Sequence, residues 1–131
     1  MKTFQALSKA IREGLVASAH DCSEGGIGVA LAEMAFSGGF GITARLDKVP
    51  FEAKAQRDDS VLFSESNSRF IVEVAPEDQE TFERIMKNIS FGLIGRVEKT
   101  PEFVIYGLKK QICVNAYIDD LKEAWQRPLR W

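Results

Sequence analysis

The sequence predicts an α+β fold: a single three-layer α/β/α domain with a mixed β-sheet flanked by helices. Three observations predict it. Helical and strand patterns are interspersed in the order helix, strand, helix, strand, strand, helix, three strands, helix. The 131 residues, 45% of them hydrophobic, suffice for one core and fall short of two ordinary domains, so residues 1–131 read as one globular unit. No internal repeat, low-complexity tract or linker divides the chain.

Each element has its own signal. Residues 3–13 place Phe4, Leu7 and Ile11 at helical spacing, and Gly14 stops the pattern as a C-terminal glycine does. Leu15 to His20 is short, apolar and β-compatible, so a strand is expected there. From Ile27 to Phe36 the residues Ile27, Ala30, Leu31, Met34 and Ala35 form one helical stripe, closed by Gly38 and Gly39. Gly41 to Leu46 alternates like a half-buried strand. Asp47 to Ser60 is polar, contains Pro50, and reads as a loop with some local helix.

Phe70 to Val74 is rich in β-branched residues and predicts a strand. Pro76 opens a helix at its first turn, where a missing N–H costs nothing; Phe82, Ile85, Met86 and Ile89 supply the buried stripe. Strands are expected over Gly92–Val97, Phe103–Tyr106 and Ile112–Tyr117, the last two joined by a hairpin at Gly107–Lys110. A final helix, Asp119–Gln126, starts on an aspartate cap and ends before Pro128.

Composition narrows the function. Seventeen basic and nineteen acidic residues leave a formal charge of −2, which gives no electrostatic reason to expect nucleic acid or an anionic membrane as partner. No apolar run approaches the roughly 18 to 20 residues of a membrane span, and the N-terminus lacks the apolar core of a signal peptide, so a cytoplasmic location is expected. Cys22 and Cys113 are far apart and form no Cys-x-x-Cys pair, which predicts reduced, packed thiols rather than a zinc site or a disulfide.

Two polar knots stand at strand ends, where an α/β scaffold presents chemistry without disturbing its core. The first is His20-Asp21-Cys22-Ser23-Glu24-Gly25-Gly26. Its glycines at a helix start suit a phosphate or carboxylate. The same residues also suit a tight strand-to-helix turn capped by Asp21 or Ser23. Glu24 would repel a naked phosphate unless a cation such as magnesium lay between them. The second knot is Ser64-Glu65-Ser66-Asn67-Ser68-Arg69; its plain reading is a helix-to-strand turn in which Arg69 pairs with Glu65. His20, the only histidine, has no carboxylate or nucleophile at triad spacing and reads as a hydrogen-bonded structural residue.

The run ASAHDCSEGGIGVALAEMAFSGGFG, Ala17 to Gly41, resembles the His-Asp-x-Ser-x-Gly-Gly stretch and following Ala-Leu-Ala-Glu-Met helix in the C-terminal domain of phosphoribosylformylglycinamidine synthases. LFSESNSRFIVEV, Leu62 to Val74, resembles the second signature of that domain. The similarity extends to Ile94-Gly95-Arg96-Val97 and to the closing Leu121-Lys122-Glu123-Ala124-Trp125. It implies the fold of the C-terminal domain of aminoimidazole ribonucleotide synthetase, whose superfamily shares the domain without both stretches in this form.

The resemblance implies a part of an enzyme that uses ATP and Mg2+ to activate the amide oxygen of formylglycinamide ribonucleotide. Ammonia from a glutaminase subunit or domain then replaces that oxygen. The expected partners are an N-terminal domain of the same enzyme, the glutaminase and the ribonucleotide, and self-association is allowed. Carried over position by position, Asp21, Ser23, Gly25, Gly26, Ser64, Ser66, Ser68 and Arg69 would border nucleotide or substrate, with Glu24 and Glu65 near a metal. No catalytic residue is assigned to this domain, and alone it is expected to be inactive. The rival readings are the C-terminal domain of another ATP-using enzyme of the superfamily, and a noncatalytic interface or effector-binding domain.

Overall fold

The computed structural model describes residues 1–51 and 57–130. Helix α1 spans Lys2–Arg12, strand β1 Ser18–Asp21, helix α2 Gly26–Gly38 and strand β2 Gly41–Arg45. A 3-10 turn at Leu46–Lys48 and helix α3, Asp58–Phe63, follow. Strand β3 is Phe70–Glu73, and a 3-10 turn at Pro76–Asp78 leads into helix α4, Gln79–Ile85. Strands β4 (Gly95–Glu98), β5 (Glu102–Tyr106) and β6 (Ile112–Tyr117) precede helix α5, Ile118–Gln126. The fold is the expected α+β arrangement of mixed sheet and flanking helices.

The strands divide between two sheets. Four of them run in the order β4-β2-β5-β6, with β2 parallel to β5 and the outer pairs antiparallel. The other two, β1 and β3, pair antiparallel with Asp21 opposite Phe70. Ile42 and Ala44 of β2 and Phe103 and Ile105 of β5 bury one face of the larger sheet, because alternate residues of a strand share a side. They pack in one core with Ile27, Ala30, Leu31 and Ala35 of α2, Val61 and Leu62 of α3, and Ile118 of α5. Strand β3 faces two ways: Ile71 packs on that core, whereas Phe70 and Val72 join Leu7, Ala10, Phe82 and Met86 of a second cluster.

Several boundaries differ from the sequence reading. The first strand begins at Ser18 rather than Leu15, and Leu15 packs instead behind the α1 stop, where Gly14 takes a positive φ of 74°. On α1, Leu7 and Ala10 are buried while Phe4 and Ile11 stay about half exposed, so the stripe is narrower than its spacing implied. Pro76 opens a 3-10 turn ahead of α4, and Met86 and Ile89 lie past the α-helix end. The strand expected over Gly92–Val97 is shifted to Gly95–Glu98. Helix α5 starts one residue earlier than expected, at Ile118, with no side-chain cap; Asp119 and Asp120 sit in its first turn, where they favour the positive helix end. Of the segment read as a loop with local helix, the 3-10 turn and α3 are present, and residues 52–56 lie outside the described residues.

The Gly107–Lys110 hairpin closes as expected, with Gly107 N–H donating to the Gln111 carbonyl at 2.7 Å. A feature not anticipated is Asp58, whose two carboxylate oxygens accept from Leu108 N–H at 2.7 Å and Gln111 Nε2 at 2.9 Å. That ties the start of α3 to a hairpin fifty residues away. Among the described residues no helix is long and apolar enough to cross a membrane.

Candidate functional site

The two polar knots meet. Asp21 ends β1, and the next amide, Cys22 N–H, continues the strand pairing by donating to the Arg69 carbonyl at 2.9 Å. Gly25 N–H donates to Glu65 Oε1 at 3.0 Å. Gly25 and Gly26 both hold positive φ, 75° and 67°, a conformation that costs an L side chain about 1–2 kcal/mol. Gly26 also lies against α3: a Cβ there would fall 2.6 Å from the Leu62 carbonyl oxygen and 2.9 Å from that of Ser64. The glycine pair therefore sets how closely the start of α2 docks on the second turn.

The helix start is capped by backbone geometry. Gly25 is the N-cap in the left-handed conformation, and neither Asp21 nor Ser23 makes a capping hydrogen bond. The carboxylate of Glu65, reaching from the second turn, meets the helix N-terminus instead, a favourable place for negative charge. Asp21, Ser23 and Glu24 are exposed. The amides of Gly26, Ile27 and Gly28 begin α2 and have no acceptor one turn back in their own helix.

In the second turn, Arg69 Nη1 donates to Ser64 Oγ at 3.3 Å, and its guanidinium carbon lies 5.8 Å from the centre of the Phe51 ring. The Arg69–Glu65 pair of the plain reading is replaced by these contacts. Ser68 holds a positive φ of 61°, unusual for a residue other than glycine. Strain of this kind is maintained where the surrounding structure over-determines it. Cys22 is buried beneath the turns, and burial pushes its thiol up to about 11; the Arg69 charge opposes the shift and Asp21 adds to it. Cys22 and Cys113 are both free thiols, as expected.

A groove of about 820 Å³ opens beside the second turn. Ser64, Ser66, Ser68 and Arg69 line it together with Phe91, Leu93 and Ile94. The predicted residues thus split: these four face the groove, whereas Asp21, Ser23, Glu24, Gly25, Gly26 and Glu65 are not in its lining. Among the described residues, no three His, Cys, Asp or Glu side chains gather to hold a metal ion. Sequence reasoning missed Asn67, Ser60 and Ser90, which also line the groove; Asn67 stood inside a knot, but nothing about Ser60 or Ser90 marked them.

His20 is hydrogen-bonded, as read, but to a residue the spacing did not single out. Its Nε2 lies 2.6 Å from Glu33 Oε2, and its Nδ1 lies 2.6 Å from the Asp21 carbonyl oxygen. Glu33 Oε1 accepts from Trp125 Nε1 at 3.0 Å.

Comparison with known proteins agrees with this architecture. The family model described as AIR synthase related protein, C-terminal domain, matches residues 1–107. Thermotoga maritima PurL complexed with FGAR superposes with a TM-score of 0.83 at 25% identity, over 92% of this chain and 20% of that one. Phosphoribosylformylglycinamidine synthase II from T. maritima gives 0.82 at 25% identity, over 92% and 21%. The HypE-HypF complex gives 0.70 at 18% identity, over 86% and 40%, a likeness of fold alone. This chain spans about a fifth of the length of the PurL chains it matches.

Proposed function

The chain belongs to the AIR synthase related protein, C-terminal domain family, and from that premise we propose that it is the C-terminal domain of a phosphoribosylformylglycinamidine synthase. The parent enzyme would convert formylglycinamide ribonucleotide to the amidine, using ATP and glutamine-derived ammonia. The observation that carries the reading is the lacing of the two signature turns, Gly25 N–H to Glu65 and Cys22 N–H to the Arg69 carbonyl, beside a hydroxyl-lined groove. Solved T. maritima PurL structures similar to this chain are complexed with ATP, ADP and FGAR.

The chemistry asked of this half-site is positioning and charge stabilisation. Arg69, held by Ser64 and by the Phe51 ring, offers a fixed cation and planar donors to a phosphate. The hydroxyls of Ser64, Ser66 and Ser68 add donors along the groove, and the start of α2 adds backbone amides at the positive end of a helix dipole. Asp21, Ser23, Gly25 and Gly26, which lie outside the groove's lining, would border a ligand that extends from the groove to the start of α2.

In this reading magnesium would be a shared ion, since among the described residues no three acidic, His or Cys side chains gather to hold it alone. It is commonly held by one or two carboxylates together with substrate phosphates and water. Glu24 is exposed, and Glu65 uses Oε1 for Gly25, so each could supply a single carboxylate oxygen. The remaining ligands would come from phosphates and the N-terminal domain. When bound, the ion would neutralise charge on the transferring phosphoryl group.

Calorimetry tests the shared-site reading. The 131-residue chain should bind Mg-ATP weakly or not at all, and affinity should return when the N-terminal portion of the enzyme is added. Tight Mg-ATP binding by this chain alone would exclude a site that needs the other domain.

A further inference from the structure

We infer that Glu33 is the positioning residue of the first turn, bridging the His20 imidazole and the Trp125 indole with a proton held between ring and carboxylate. Three elements meet in this bridge. His20 is the penultimate residue of β1, Glu33 lies on α2 and Trp125 on α5. One carboxylate oxygen of Glu33 sits 2.6 Å from His20 Nε2, while the other accepts the Trp125 N–H at 3.0 Å. On the far side of the ring, Nδ1 is 2.6 Å from the Asp21 main-chain oxygen and 3.5 Å from Asp21 Oδ1.

Both ring nitrogens therefore face acceptors. The charged groups against the ring are Asp21 from its own strand and Glu33 from α2. A neutral imidazole has one N–H. Beside an ionised Glu33 it would set a lone pair against a lone pair at one of its two short contacts. Keeping both contacts requires a hydrogen in each, so Nδ1 bears one that points at the Asp21 carbonyl. His20 and Glu33 side chains are 31% and 25% exposed, so water only partly replaces these contacts.

The consequence is mechanical. Asp21 is the last strand residue before the glycine turn, and its carbonyl is held by a ring that Glu33 holds in turn. Trp125, ninety-two positions away from Glu33, couples α5 to the same carboxylate. For its effect on catalysis this inference rests on the proposed function; the bridge itself does not.

His20 is the only histidine, so its ring nitrogens give unambiguous nitrogen-15 NMR signals in the 131-residue chain. In the folded chain Nδ1 should carry a proton. Glu33→Gln should keep Nδ1–H, because its amide can donate to Nε2 and still accept from Trp125. Glu33→Ala should release the ring to a free-imidazole signature and shift the Trp125 indole N–H signal. A bare Nδ1 in the unmodified chain, or ring signals unmoved by Glu33→Ala, would overturn the bridge.

In the complete enzyme, Glu33→Ala should lower kcat/KM by roughly tenfold to 10²-fold, as expected for a displaced binding group, and Glu33→Gln should restore most of it. If Glu33→Ala is harmless while Asp21→Ala damages turnover, the positioning role fails and the site stands. If neither matters, the site assignment itself is wrong.

Discussion

The larger sheet and the thin layer over β1 and β3 are held together differently. Among the described residues, fourteen buried hydrophobics pack as one core around the four-stranded sheet, with Ala44, Leu46, Val61, Phe103 and Ile105 at no more than 2% exposed, whereas the second cluster has four. The α1–α4 layer buries Ala10 completely, but its larger residues Leu7, Phe82 and Met86 remain 4–9% exposed, and Phe4 beside them is 52% exposed. Both signature turns connect one region to the other: the first leads from β1 into α2, and the second leads from α3 into β3. The groove runs along this junction, with Leu7, Phe82 and Met86 of the thin layer and Ile27 and Val49 of the large core in its walls. A site on such a boundary can adjust by small movements of the weaker layer without opening the stronger core.

Truncating one side chain in each region separates them most strongly. Ile105→Ala should cost about 4–5 kcal/mol, because Ile105 is 1% exposed within the packed core of sheet and helices. Leu7→Ala, on the thin layer, should cost about 2 kcal/mol, since α1 can settle onto the gap. Urea unfolding of both variants measures the contrast. Equal losses would mean that the two regions are one cooperative core.

A smaller effect probes the junction itself. Gly14 and Gly26 share a positive φ, but a Cβ at Gly14 meets nothing within 4 Å, whereas at Gly26 it strikes α3 backbone. Gly14→Ala should therefore cost only the backbone penalty of about 1 kcal/mol, and Gly26→Ala about 2–3 kcal/mol. The difference between their melting temperatures reports the close docking of α2 on the second turn. Identical shifts would show that conformation alone demands glycine there.

How much of this was legible in the sequence follows from the range of each interaction. The α2 stripe, apart from Met34, which is only half-buried and outside the core cluster, and the glycine stops that follow α1 and α2 depend on residues a few positions apart, and periodicity and glycine placement exposed them. The meeting of the knots was legible only through the family resemblance, since Asp21 pairs with a residue 49 positions further along the chain, Phe70. Asp58 holding the hairpin and Glu33 holding His20 were not legible, because a carboxylate reaching across the fold leaves no local pattern. The expected Asp119 cap and the strand start at Leu15 failed for a related reason: backbone pairing and packing set those ends over local propensity.

Cys22 gives the finest probe of the junction. Its thiol sits where β1 hands the chain to the first turn, and burial raises its folded value from an ordinary 9.0 to about 11. The folded state therefore holds this proton more tightly than the unfolded chain. That leaves stability complete below about 9 and lowers it as pH climbs toward 11, by an amount on the order of 2 kcal/mol. Cys113 is shifted in the same direction, by burial first and then by Asp58, so the measurement belongs in a Cys113→Ala background. There, the urea midpoint should fall across this alkaline range more steeply with Cys22 present than with Cys22→Ala. If the two slopes coincide, water already reaches the thiol, and the seam beneath the two turns is looser than the paired Cys22 and Arg69 backbones imply.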